Sequence, residues 1–189
     1  MKVTSCVFIK GIRGTDPIAY DGKTQIAFVG RSNVGKSSVI NALVGKSGLV
    51  KVRSKPGRTT ELNFFLLNNK EYLVDVPGYG FAHATTADLV KLRSLIVWYV
   101  SASAIEHKLI VLVVDIKAGI TKFDTEMIDI LKSEGHPFVI AANKVDKLSQ
   151  ADVSKALVTI RAAAEDGQVV ACSTKSHNGM RELEKVVFA

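Results

Sequence analysis

The chain has 189 residues, 47% of them hydrophobic and 23% charged, with 25 Lys and Arg against 18 Asp and Glu for a formal net charge of +7. That length suits one domain, and the composition excludes a disordered chain. The longest apolar runs, Leu95 to Val100 and Leu109 to Val114, fall far short of the roughly 18 residues of a membrane span. Two cysteines, Cys6 and Cys172, form neither a disulfide framework nor a metal spacing, and are expected to be reduced thiols in a cytoplasmic protein. No signal-peptide pattern, myristoylation glycine or prenylation cysteine is present, so no membrane partner is expected. The charge is concentrated. Residues 1–58 carry 11 basic side chains against Asp16 and Asp21, a net of +9, and residues 59–189 carry 14 basic and 16 acidic ones. Lys46, Lys51, Arg53, Lys55 and Arg58 stand together without an acid, which suggests either a solvated loop or a surface for a polyanion.

In chain order, Gln25–Val29 reads as a buried strand leading through a Gly-rich turn into a helix from about Lys36 to Val44. Leu62–Leu67 and Glu71–Asp75 flank Asn68-Asn69, a pair that tolerates positive φ, and so predict an antiparallel hairpin. Ala87–Val100 sets Leu89, Leu92, Ile96, Val97 and Val100 on one helical face. Leu109–Asp115 and Phe138–Asn143 are apolar enough to be parallel strands covered on both sides, with a helix near Thr125–Ser133 between them. A helix over about Gln150–Ala164, a strand at Gln168–Cys172 and a last helix over about Met180–Phe188 complete the pattern. The expectation is an α/β fold: a mostly parallel six-stranded sheet with one antiparallel hairpin strand and helices on both faces. One domain spans 1–189, with a short N-terminal extension to about residue 22.

Gly30-Arg31-Ser32-Asn33-Val34-Gly35-Lys36-Ser37 matches the phosphate-binding pattern G-x-x-x-x-G-K-[ST] between a strand and a helix. Backbone N–H groups and the helix N-terminus can surround phosphate oxygens, with Ser38 continuing that first turn. Lys36 supplies a cation for the β- and γ-phosphates, and the Ser37 hydroxyl can ligate Mg²⁺. Asp75-Val76-Pro77-Gly78 follows the hairpin. Asp75 can hold Mg²⁺ through water, Gly78 can offer its N–H to the γ-phosphate, and Gly78-Tyr79-Gly80 gives hinge freedom. Asn143-Lys144-Val145-Asp146 supplies base recognition. A carboxylate at Asp146 can accept the two adjacent donors of guanine, which adenine lacks. Asn143 can bridge base and phosphate loop, and the Lys144 stem can cover the base. Ser173-Thr174-Lys175 can close the pocket with a backbone N–H to guanine O6. In the loop before the hairpin, Gly57 and Thr59 complete the set, with Thr59 the expected Mg²⁺ ligand and Thr60 its alternative. Together these five elements are the motifs of a guanine-nucleotide-binding G domain.

The wording from Ile26 to Ser38, Ile40 to Leu43, Lys55 to Thr59, Leu62 to Phe65 and Asp75 to Ala82 resembles the EngB family (also called YihA or YsxC), within the TRAFAC class of P-loop GTPases. The resemblance implies a monomeric G domain that binds GTP and GDP, hydrolyses GTP with Mg²⁺, and acts in assembly of the large ribosomal subunit through rRNA and ribosomal proteins. It further implies a role in growth, division and septation. The rival readings are a small regulatory GTPase acting on a protein effector and a P-loop phosphotransferase. Lys36, Thr59 and Gly78 are then the catalytic candidates. Tyr79 stands where Ras-like proteins carry a water-orienting Gln, so slow intrinsic hydrolysis is expected. Asn33 is similar to an Asn of GTPases that bind K⁺, which makes K⁺ a candidate activator. Four histidines, His83, His107, His136 and His177, have no metal spacing and are expected in loops or solvent. Asp115 reads as structural and Trp98 as packing.

Overall fold

The computed structural model describes residues 2–50, 61–80, 85–165 and 167–189. The elements run β1 (Cys6–Ile12), β2 (Gln25–Gly30), α1 (Lys36–Leu43), β3 (Leu62–Leu67), β4 (Glu71–Asp75), α2 (Thr86–Ser101), β5 (His107–Asp115), α3 (Lys122–Ser133), β6 (Phe138–Asn143), α4 (Gln150–Ala164), β7 (Gln168–Ala171) and α5 (Met180–Val187). Short 3-10 turns occupy Pro17–Tyr20 and Val145–Lys147. The sheet order is β1-β3-β4-β2-β5-β6-β7. β2 pairs in parallel with β4 and β5, and β5-β6 and β6-β7 are also parallel.

Burial on both faces explains why the central strands lack polar alternation. Along β2, Ile26 and Phe28 join the core under α1 and α5, and Ala27 and Val29 join the one under α2, α3 and α4. β5 divides likewise, with Val111 and Val113 on the first face and Ile110, Leu112 and Val114 on the second. All strands of that parallel run end at the same edge, where ligands bind in open α/β sheets.

The hairpin forms as expected, with Asn68 and Asn69 at φ 49° and 57°, the left-handed pair of a type I′ turn. Three expectations change. The sheet has seven strands, because β1 from the N-terminal extension pairs antiparallel with β3. Its middle is exposed on both faces and only Cys6 and Ile12 are buried, so it carries no period-2 signal. The segment leading into it is held by Asn68, whose Oδ1 accepts from the N–H groups of Thr4 and Ser5 at 2.7 and 3.0 Å and whose Nδ2 donates to the Lys2 carbonyl at 2.8 Å. The buried face of α2 is Leu92, Leu95, Ile96, Tyr99 and Val100, rotated from the expected set, with Leu89 and Val97 lining a cleft against α3. His107 and His136 are packed, not solvated: their rings meet edge to face at 4.8 Å. His83 lies outside the described residues, and His177 is exposed. Trp98 packs against the core as expected. Both cysteines are buried free thiols, and burial pushes Cys6 up to about 11 and Cys172 to about 12.

Candidate nucleotide site

The phosphate loop joins the end of β2 to α1 and turns at Asn33 and Gly35, with φ 67° and 95°. A side chain at Gly35 would also collide with the Asn143 amide, so glycine is required there on both counts. Lys36 opens α1 and its ammonium meets the Asp75 carboxylate at the end of β4, both groups buried. Ser37 and Ser38 follow in the first turn. β2 and β4 are adjacent and parallel, which brings a lysine and an aspartate 39 residues apart to one point.

Past Asp75 the chain lies against the loop. The Ser32 N–H donates to the Tyr79 carbonyl at 2.8 Å, and the Tyr79 N–H donates to Gly30 at 3.3 Å. A Cβ on Gly78 would sit 3.1 Å from Ser32 Cα and N, so the backbone of Gly78 touches the loop. The Tyr79 side chain turns the other way. Only 8% exposed, it donates from its hydroxyl to Asp124 Oδ1 at 2.8 Å. Burial, and then the Asp124 carboxylate, raise this phenol well above its ordinary value, so it remains a donor.

The residues expected to recognise the base converge from β6 and the segment after β7. Asn143, 1% exposed, donates from Nδ2 to the Val34 carbonyl at 2.9 Å, and its Oδ1 has no partner among the described residues. A buried amide oxygen without a partner is costly unless a ligand donor meets it. Lys144, at φ 72°, reaches across the site to the Asn33 carbonyl at 2.6 Å and to Asp115 Oδ2 at 2.7 Å. Asp115 therefore belongs to the site as the anchor of Lys144, which corrects its reading as a structural residue elsewhere. Burial works to raise the Asp115 carboxyl, but the Lys144 bond and charge outweigh it and hold it below its usual range. Asp146 Oδ1 accepts from Ser173 Oγ at 2.6 Å, and Ser173 Oγ accepts from the N–H groups of Lys175 and Ser176, each at 3.1 Å. Ser173's own N–H goes to Asn178. Thr174 is then the residue of the three whose N–H has no acceptor among the described residues.

The expected site thus gathers from four segments, apart from Gly57, Thr59 and Thr60, which lie outside the described residues. In sequence nothing singles out Asp124 as a site residue, and Asp115, the acid ending the strand beside the phosphate loop, reads as structural. Asp124 shows in sequence only as the third residue of a helix whose N-cap is Thr121. No cluster of three His, Cys, Asp or Glu exists among the described residues. The hydroxyl and carboxylate of Ser37 and Asp75 are hard oxygen donors, which fit Mg²⁺ shared with phosphate oxygens and water and do not fit a soft metal.

Residues 25–144 match the family model described as 50S ribosome-binding GTPase. A probable GTP-binding protein EngB of Aquifex aeolicus (strain VF5) is 41% identical over 159 residues, covering 84% of this chain and 86% of the relative. That of Chlorobaculum tepidum is 38% identical over 184 residues, covering 97% and 95%. Among solved structures, a probable GTP-binding protein EngB superposes with a TM-score of 0.75 at 28% identity, over 87% of this chain and 97% of that one. Era, solved with MgGDPNP and nucleotides 1506–1542 of 16S ribosomal RNA, shares the fold at a TM-score of 0.68 and 23% identity, over 87% of this chain and 55% of that one. Phosphate loop and sequence likeness agree: the chain belongs to the EngB family of GTP-binding proteins and is a GTPase.

Proposed function

We propose that this GTPase is a slow nucleotide switch, a single monomeric G domain that docks on the large ribosomal subunit in its GTP state and leaves after hydrolysis. The inward Tyr79 carries the first half. With the phenol bonded to Asp124, the position after Gly78 offers no side chain to orient water. The protein would rely on a partner group, or on K⁺ beside the exposed Asn33, to complete the chemistry. The family description as a 50S ribosome-binding GTPase supports the second half. Assembly of that subunit in the cytoplasm, with growth and septation dependent on it, is the cellular role this reading implies. Among the described residues no helix is long and apolar enough to cross a membrane.

In this reading Lys36 neutralises the β- and γ-phosphates, the N–H of Gly78 reports the γ-phosphate, and Thr59 joins Ser37 and Asp75 in holding Mg²⁺. The ion supplies charge neutralisation on the phosphate oxygens. Asn143, Lys144 and Asp146 select guanine, with Ser173 fixing the Asp146 carboxylate.

Sedimentation with purified large subunits tests the proposal. Co-sedimentation should be strong with a non-hydrolysable GTP analogue, weak with GDP, and should fade along a salt series as phosphate contacts are lost. Turnover measured alongside should be faster in K⁺ than in Na⁺. Absent or nucleotide-independent co-sedimentation would remove the ribosomal reading, and equal rates in the two cations would remove K⁺.

A further inference from the structure

Asp124, on α3, is 1% exposed and accepts from three donors, two of them on Thr121 and one from outside the helix. Its Oδ1 accepts the Tyr79 hydroxyl at 2.8 Å, and its Oδ2 accepts the Thr121 N–H at 2.9 Å and the Thr121 hydroxyl at 2.6 Å. The Thr121 bonds form a capping box that closes the N-terminus of α3, so the carboxylate is fixed by a helix end. Tyr79 is fixed at its other end too. Its backbone exchanges hydrogen bonds with Gly30 and Ser32 of the phosphate loop, forming a lone parallel bridge with Arg31. The phenyl ring leans on Phe123, centroids 6.3 Å apart. One residue therefore ties the phosphate loop to α3, and it directly follows Gly78.

We infer that Asp124 is a positioning residue for GTP hydrolysis, acting through Tyr79 to hold the Gly78 N–H where a γ-phosphate will meet it. The inference rests on the reading of Gly78 as the γ-phosphate contact. A glycine flanked by another glycine two residues on has wide backbone freedom, and a peptide N–H free to rotate discriminates poorly between GTP and GDP. The Tyr79 anchor removes that freedom before nucleotide arrives. GDP has no γ-phosphate, so its affinity should not depend on the anchor.

This separates positioning from mere stability. In Tyr79→Phe and Asp124→Asn, the preference for a fluorescent non-hydrolysable GTP analogue over GDP, and the turnover, should fall together by about three- to tenfold, the worth of one hydrogen bond. GDP affinity should stay within about twofold. Ile128→Val, a buried change on the same helix, should lower the melting temperature and leave that preference alone. An unchanged preference and turnover in Tyr79→Phe, at any melting temperature, overturns the inference, as does a preference that rises. Should both variants fail to fold, amide exchange in the wild-type protein decides. The Tyr79 N–H should be protected with GDP and with the analogue alike, and fast exchange with the analogue overturns the inference. A wild-type protein that bound no GDP would instead remove the nucleotide reading itself.

Discussion

In the proposed guanine site, Asp146 does not act alone. Its carboxylate is oriented by the Ser173 hydroxyl at 2.6 Å, and that oxygen in turn accepts the N–H groups of Lys175 and Ser176. The serine side chain thus fastens two segments of the base site together: one after β6, the other after β7. Its removal would leave the carboxylate free to turn and two N–H groups without their acceptor. In Ser173→Ala, GDP affinity should fall about tenfold, since hydrogen bonds to charged groups contribute about 1.5–3 kcal/mol. Asp146→Asn should act differently, because an amide offers one acceptor and one donor. Xanthine presents a donor beside an acceptor and matches it, so binding should pass from GDP to xanthosine diphosphate. Competition of both diphosphates against a fluorescent guanine nucleotide measures the two effects. An Asp146→Asn variant that kept its GDP preference would take guanine reading away from this residue.

At the scale of elements, α2 is held at its C-terminal end by a pair of histidines that sequence spacing gives no reason to join. His107 opens β5 and donates from Nε2 to the Tyr99 carbonyl at 3.0 Å, and His136 precedes β6 and donates to the Val100 carbonyl at 2.6 Å. Carbonyls only accept, so Nε2 carries the proton in both rings, and the buried Nδ1 of His107 has no partner among the described residues. Burial lowers His107 to about 4, outweighing the raising effect of the Tyr99 bond, while the neighbouring His136 lowers it further. The folded value lies below the unfolded one, so the neutral ring favours the fold above about pH 6.5. That contribution, up to about 3 kcal/mol, is lost as pH falls from about 6.5 toward 4. Urea unfolding at pH 7, 5.5 and 4.5 should show wild type losing stability more steeply than His107→Asn. Parallel slopes would dissociate the loss from this ring. The helices and parallel strands themselves were legible, because each buries a stripe or a double face that periodicity reports. What packs on their ends was not: Asp124, His107 and His136 act through neighbours that only the sheet order brings together.

The whole molecule shows the same division. Every described residue of the expected site lies at the end of an element readable from apolar pattern, which is why motif and geometry agree. The N-terminal strand was not readable, since its partners are Asn68 and the edge of β3, and its own middle is bare. The charge also changes meaning here. Lys46, the one described member of the basic cluster, donates its ammonium to the Cys6 carbonyl at 3.0 Å, so it serves to seat β1. Lys10, Arg13 and Lys23 are likewise paired, with Asp16, Glu61 and Asp21. The first strand is therefore neutralised locally and is poorly suited to an anionic partner. Its physical role is to close a sheet edge. β3 reads Leu-Asn-Phe-Phe-Leu-Leu, and as an open edge it would present unpaired backbone groups along a strongly apolar strand, a template for association. β1 itself is a safer edge, because its register shifts between Phe8 and Lys10 and a charged side chain stands on it. Deleting residues 2–12 should therefore leave GDP affinity within about a factor of three, as the deleted strand pairs with β3 and none of its partners in the sheet is a described site residue, while exposing β3. Size-exclusion chromatography should show concentration-dependent association of the truncated chain, and its melting temperature should fall. A truncated chain that stayed monomeric at the wild-type melting temperature would mean that β1 is an ornament of the sheet, and that the edge is protected in some other way. Loss of GDP binding without association would mean instead that the far strand supports the nucleotide site through β3 and β4.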